Sequence, residues 1–301
     1  MSEQERTLRD AVAKQASLGN RRSEFNNSAK KANIFCVTSG KGGVGKTCFS
    51  VNFALALAKC GKKVIIIDGD FGFSNVNIML GKNAKYTLEH IVHGEKRLED
   101  VMEECYPNVW YISGGSGVSE LVKMRDDQME KIIEQLGILE REMDYIIFDT
   151  GAGMNDNIMK MIHASDQAIL ITTPEPTSIL DSYVVLKTAS EEMPVGNVTA
   201  VINKAASEKE AVETFHNFSN VVHRYLKCDV DMLGFIPFDS RVPQAITAMV
   251  PYIVKYPGSA VAYQFQQIAS RITNSHPEKK EGGLKNFILR LIRGRGNRNA
   301  G

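Results

Sequence analysis

One eight-residue stretch limits the folds open to this chain more than any other. Gly40-Lys41-Gly42-Gly43-Val44-Gly45-Lys46-Thr47 fits the pattern G-x-x-x-x-G-K-[ST]. An apolar run at 34–38 precedes it, and Phe49, Phe53 and Leu57 follow at helical spacing. A buried strand that ends in glycines and continues as a helix lets consecutive backbone N–H groups converge at a helix N-terminus. Those groups and the local positive potential hold phosphate. In such a loop Lys46 reaches the β- and γ-phosphates, and the Thr47 hydroxyl suits Mg2+.

Further apolar runs at 64–68, 109–112, 145–149, 167–172, 198–203 and 232–237 are short and rich in Ile and Val. They do not alternate with polar residues, as expected of strands buried on both faces of a parallel sheet. Helical patterns at 128–142, 178–192 and 208–226 supply the crossovers. The alternation predicts an α/β domain with a doubly wound, mostly parallel sheet over 32–275. Such sheets bind ligands beyond the carboxyl ends of their strands, where Thr38, Asp68, Asp149, Thr172 and Asn203 stand. Residues 1–31 read as a helical segment and linker, 276–283 as a polar linker and 284–301 as a separate tail.

Composition narrows the function. Hydrophobic residues at 43% and charged residues at 24% are those of a soluble globular chain. No apolar run reaches the roughly 18 residues that span a bilayer, and residues 1–5 lack the opening of a secretory signal. The five cysteines are an odd count with no C-x-x-C pair. This argues against a disulfide framework, a zinc site or an iron–sulfur carrier, and for a cytosolic protein with reduced thiols. The net charge of +1 is unevenly spread: 284–301 carries +5, 1–31 carries +3, and 32–283 carries −7. A body that acidic is unsuited to generic nucleic-acid binding, so no specific nucleic-acid partner is expected.

The second strand ends Asp68-Gly69-Asp70-Phe71-Gly72-Phe73-Ser74-Asn75. A carboxylate beside a γ-phosphate orients the attacking water, which makes Asp70 the candidate for that role; Asp68 orders the loop or supports the waters of the metal. Asp149 ends an apolar strand and precedes Thr150-Gly151-Ala152-Gly153. Its carboxylate would hold a water on Mg2+, and the glycines let the loop move when the γ-phosphate leaves. The Asn203 amide can both donate to and accept from a base edge. No N-K-x-D stands here, since residue 206 is Ala, so guanine is disfavoured.

Lys41, an extra lysine near the start of the loop, completes a stretch that resembles the deviant Walker A motif of the MinD/ParA ATPases. The resemblance covers about 32–275 and implies the P-loop NTPase fold with ATP and Mg2+ as ligands. It also implies a homodimer that sandwiches two ATP molecules, with Lys41 reaching the partner's nucleotide. The nucleotide contacts then comprise Gly40 through Cys48, with Lys41, Lys46 and Asp70 serving hydrolysis. Adenine lies between Asn203 and the backbone of Pro237, Phe238 and Asp239.

Leu284, Phe287, Ile288, Leu291 and Ile292 form one helical stripe, with Lys285, Arg290 and Arg293 beside it. A basic amphipathic helix of this kind suits an anionic membrane surface. It is read as a detachable element and resembles the membrane-targeting helix of MinD. Residues 3–9, with Gln4, Leu8 and Arg9, resemble the opening of the FlhG (YlxH) branch, which governs flagellar placement and number. In that branch the segment stimulates FlhF, an SRP-type GTPase. Flagellar switch or basal-body proteins are further expected partners. The expected protein is a slow, dimerising ATPase, cytoplasmic and peripherally attached to membrane when ATP-bound. A division-site regulator of MinD type, a ParA-type DNA partitioner and a nucleotide-gated scaffold are the alternatives.

Overall fold

The computed structural model describes residues 31–70, 76–82, 84–123, 126–192, 196–274 and 283–293. The expected activator residues Gln4, Leu8 and Arg9, and the stretch 71–75, lie outside the described residues. Eight strands form one sheet in the order β3-β4-β2-β5-β1-β6-β7-β8. They are β1 (Asn33–Thr38), β2 (Val64–Gly69), β3 (Glu103–Tyr106), β4 (Val109–Ile112), β5 (Tyr145–Thr150), β6 (Gln167–Thr172), β7 (Val198–Ala205) and β8 (Asp231–Pro237). Every pairing is parallel except β3 with β4. The antiparallel edge strand β3 was not expected. Its sequence, Glu-Glu-Cys-Tyr, lacks the apolar run that marks the buried strands, and its burial pattern is only partial.

Helices cover both faces. On one lies α1 (Lys46–Lys59), which is buried along most of its length, with Phe49, Phe53 and Leu57 at 2% exposure or less. Beside it are α2 (Val76–Leu80), α10 (Val242–Thr247), α11 (Tyr252–Lys255) and α12 (Ala260–Asn274). α1 is sandwiched between the sheet and α12. That position explains its nearly continuous apolar and small residues.

The other face carries α3 (Leu88–Val92), α4 (Leu98–Val101), α5 (Gly117–Lys123), α6 (Asp126–Glu142), α7 (Asp156–Ala164), α8 (Pro176–Glu192) and α9 (Glu208–Leu226). It also carries α13 (Leu284–Arg293), which corrects the expectation of a detached tail helix. Leu284, Phe287, Ile288 and Leu291 are each at most 2% exposed and join the core of the body. They pack against α5, α6 and α7. The Phe287 ring stacks on Phe148 of β5 with centroids 4.6 Å apart. Lys285 and Arg290 remain exposed. The stripe was legible in the sequence, but the groove that receives it is built from three distant helices and was not.

Burying four apolar side chains yields a free energy of the same order as the entropy cost of ordering a ten-residue helix. The docked helix is therefore a local unit whose opening is separable from global unfolding. Leu57→Ala, on the buried face of α1, is expected to cost about 2–5 kcal/mol and to lower the main melting transition by several degrees. Phe287→Ala is expected to leave that transition nearly in place. It should instead raise hydrogen exchange selectively over 283–293, which mass spectrometry would read directly.

Candidate functional site

The carboxyl ends of β1, β2, β5, β6 and β7 place the expected polar residues along one rim of the sheet. The loop after β1 turns into α1 through Gly45, whose φ of 101° lies in the left-handed region. A Cβ at Gly45 would stand 2.5 Å from Asn203 Nδ2 as well. Gly40 lies against the backbone of Asp181 in α8, so the start of the loop is closely backed by that helix.

Lys46 is only 8% exposed, and its Nζ donates to Ser39 Oγ at 3.0 Å. Burial lowers its pKa, while the charges of Asp149 and Asp70 oppose the shift. The three charges are therefore near enough to act on one another. Asp149 accepts from Ser50 Oγ at 2.7 Å and also bonds to Thr47. Burial pushes the Asp149 carboxyl up to about 7, against the lowering effect of both hydroxyls. A buried carboxylate with two hydroxyl donors and one desolvated ammonium nearby is an anion short of positive charge. Hard oxygen donors from Thr47 and Asp149 at that point fit Mg2+.

Asp68 accepts from the backbone N–H of Asp70 at 3.0 Å, so it shapes the turn that carries Asp70. The Asp70 carboxylate sits over Gly151, 3.2 Å from where a Cβ would be. Thr150 Oγ1 donates to the carbonyl of Val37 at 2.9 Å, and Gly153 N–H donates to the carbonyl of Ser39 at 3.2 Å. The loop after β5 is thus hydrogen-bonded to the entry of the phosphate loop, and it leads directly into α7. Asn155 caps α7 by accepting from the N–H of Ile158.

Lys41 is held by the segment that follows β6. Its Nζ lies 3.0 Å from Glu175 Oε2 and 3.0 Å from Thr177 Oγ1, in an exposed ion pair at the start of α8. Asn203 Nδ2 donates to the carbonyl of Val44 at 2.6 Å, while its Oδ1 accepts from the N–H of Lys204. The amide braces the phosphate loop; its second N–H and second lone pair remain for a base edge. Lys204, at φ 59°, donates from Nζ to the carbonyl of Gly43 at 2.8 Å. A left-handed lysine is strained, and here the strain is fixed by this second brace on the loop.

Beside these braces a cleft of about 380 Å³ is lined by Thr173, Pro174, Glu175, Lys204, Ala206, Glu210 and Phe238. Phe238 is 67% exposed, and its N–H donates to the carbonyl of Ala205 at 2.9 Å. Asp239 is clamped by Arg241 and by the Tyr252 hydroxyl at 2.7 Å. Arg241 holds its carboxyl well below the usual carboxylate range. The 237–239 turn is therefore rigid and offers an aromatic face to the cleft. Cys48 lies behind the loop with its thiol pushed up to about 11 by burial, so it serves as packing and not as a nucleophile. A larger apolar cleft of about 470 Å³, between α8 and α9, offers nothing suited to phosphate.

Ser39 and Ser50 were not singled out in the sequence, and Glu175, Thr177 and Lys204 stood out only as members of the stretches 173–183 and 203–205, without a site role. Ser50 had a signal, since it stands one turn after Lys46 on α1. The contacts of Glu175 and Thr177 depend on β6 lying next to β1, which no local pattern reveals.

Fold and site together define a P-loop nucleotide-binding protein. The ParA family model, described as NUBPL iron-transfer P-loop NTPase, matches residues 30–273. The chain belongs to the ParA/MinD family of P-loop NTPases, a family of ATPases. It is 31% identical over 260 residues to the antiactivator FleN of Pseudomonas aeruginosa, covering 86% of this chain and 93% of that one. It is 29% identical over 281 residues to the flagellum site-determining protein YlxH of Helicobacter pylori, covering 91% and 94%. Among solved structures, the septum site-determining protein MinD of Pyrococcus horikoshii complexed with Mg-ADP superposes with a TM-score of 0.64 at 24% identity. That superposition covers 81% of this chain and 96% of the other.

Gly45→Ala is expected to abolish nucleotide binding while leaving the sheet folded, because a methyl group there meets both left-handed backbone and the Asn203 amide. Fluorescent-nucleotide titration with a circular-dichroism control would check this. The Asp149 carboxyl also gives a pH dependence. Its value in the folded chain is raised from 3.8 to about 7. In the ligand-free protein its contribution to stability is complete below the lower value and is lost as pH rises through the upper one. A divalent cation favours the ionised form, so thermal stabilisation by Mg-ADP should be larger at about pH 8 than at about pH 6. Equal stabilisation at both would contradict the placement of Asp149.

Proposed function

We propose that this chain is an Mg2+-dependent, ATP-driven dimerising switch that regulates flagellar number or placement and reaches the membrane through α13. The observation that carries the reading is where α13 docks. Phe287 stacks on Phe148, the residue before Asp149, and the stripe rests on α7, the helix that begins where the loop after β5 ends. A change in that loop on binding a γ-phosphate moves the floor of the groove. The resemblance to FleN and YlxH supports the flagellar role.

The chemistry follows from the site. Backbone N–H groups of 42–47 and the Lys46 ammonium hold the phosphates. Thr47 and Asp149 would hold Mg2+, which would supply positive charge against the phosphates. Asp70 orients the attacking water toward the γ-phosphorus. With little covalent work for the protein to do, positioning and charge account for most of the rate. Lys41 leaves Glu175 and Thr177 to reach the nucleotide of a second copy, so dimerisation and hydrolysis share one residue. Residues 1–18, including Gln4, Leu8 and Arg9, act on an SRP-type GTPase such as FlhF, and flagellar basal-body proteins are further partners.

Released α13 helices bind anionic lipid weakly one at a time, and a dimer presents two. The second binds at high effective concentration, which strengthens attachment by on the order of 10²–10⁴-fold. Co-sedimentation with anionic vesicles should show more protein pelleted in ATP than in ADP. Asp70→Ala should pellet most, because it holds ATP without hydrolysing it, and Lys41→Ala should pellet poorly because it dimerises poorly. Equal pelleting in both nucleotides would refute the switch. A pull-down that returned division-site proteins in place of FlhF and flagellar switch proteins would move the chain to a MinD-type role.

A further inference from the structure

Outside the nucleotide site, one group of side chains among the described residues has the composition of a metal centre. Glu89, His93 and Glu120 each direct one ligand atom inward, and these atoms all lie within 4.8 Å of one another. We propose that they bind a transition-metal dication of the Zn2+ class, in a site between α3 and α5 that is distinct from the Mg2+-nucleotide site.

The local fold brings them together. Glu89 lies in the first turn of α3, and His93 follows four residues later at its C-cap. Positions i and i+4 share one helix face. Glu120 comes from α5, which packs on α3. That approach depends on Gly117, where a Cβ would stand 2.5 Å from the backbone nitrogen of Glu89. His93 Nε2 lies 2.8 Å from Glu120 Oε2.

Two outer contacts aim the ligands. Ser116 Oγ donates to Glu120 Oε1 at 2.9 Å, which leaves Oε2 for the cluster. On the other side of the imidazole, Glu95 Oε1 lies 3.9 Å from Nδ1. Here Nε2 is held by the Glu120 carboxylate, and a bound ion would take the place of that contact between the two. Charge argues the same way. Three carboxylates surround one imidazole, so even a protonated His93 leaves two negative charges uncompensated within the group, and a bound dication removes that excess.

One nitrogen and two carboxylate oxygens favour a borderline ion over Mg2+ or Ca2+, which prefer all-oxygen shells. Three protein ligands leave a position for water. The half-exposed site suits reversible binding. α5 is also one wall of the groove that holds α13, so an ion bridging α3 and α5 ties that wall to the body.

The test uses the full chain, stripped with chelator and held in excess Mg2+ so that the nucleotide site is not available to the probe. Zn2+ is titrated against a chromophoric indicator, and Co2+ is used for spectroscopy. One equivalent should bind. His93→Gln and Glu120→Gln should each weaken binding at least tenfold, with unchanged circular dichroism. The Co2+ complex should lack the sulfur-to-cobalt charge-transfer band in the near ultraviolet. Undiminished Zn2+ binding in both variants overturns the proposal, as does a thiolate band in the Co2+ spectrum. Complete absence of a bound equivalent in the wild-type chain overturns it equally.

Discussion

The Asp149 carboxylate, 2% exposed at the end of a central strand, is the point on which the site is organised. An ionised group in that position is costly unless its surroundings supply donors. Those donors are Ser50 and Thr47, one on α1 and one at its start, and satisfying them fixes α1 against β5. The rest follows from that register. β1 lies between β5 and β6, so the phosphate loop opens beside the Asp149 loop on one side and the Glu175 loop on the other. Asn203 and Lys204 then brace the loop from β7. The P-loop and the strand end that feeds it are held at four backbone carbonyls, those of Val37, Ser39, Gly43 and Val44, which is the preorganisation that a reaction governed by positioning requires.

The same sheet end gives the molecule two positions from which a nucleotide can be sensed. One is exposed: Lys41 is held by Glu175 and Thr177 on the outer side of the loop, in a pair that water and salt screen and that therefore opens easily. The other is buried: the loop from Thr150 to Asn155 touches the phosphate loop at Val37 and Ser39 and continues into α7. The first lies at the surface and the second faces the groove of α13. A single bound phosphate can act on both because they are separated only by the width of one strand.

Much of this was legible in the sequence, and unevenly so. The phosphate loop, the apolar strands and the strand-end carboxylates declare themselves locally, since glycine spacing and Ile/Val runs have direct backbone meaning. So did the stripe of Leu284, Phe287, Ile288 and Leu291, although not its resting place. Amphipathicity states that a face must be covered without naming what covers it; here the cover is assembled from α5, α6 and α7. Edge strand β3 was missed because an edge needs no apolar run. Lys204 and Glu175 were missed because each acts on a loop more than a hundred residues away in sequence. The Glu89–His93–Glu120 group was missed because its third member comes from another helix.

Docking of α13 also bears on how such a chain survives in solution. Four large apolar side chains on one short helix would make a sticky patch if left in water, of the kind that drives association or aggregation. Folding them onto the body keeps that patch out of water. The groove of α5, α6 and α7 thereby acts as an internal chaperone for α13, shielding it from the contacts that an uncovered stripe would make with other chains.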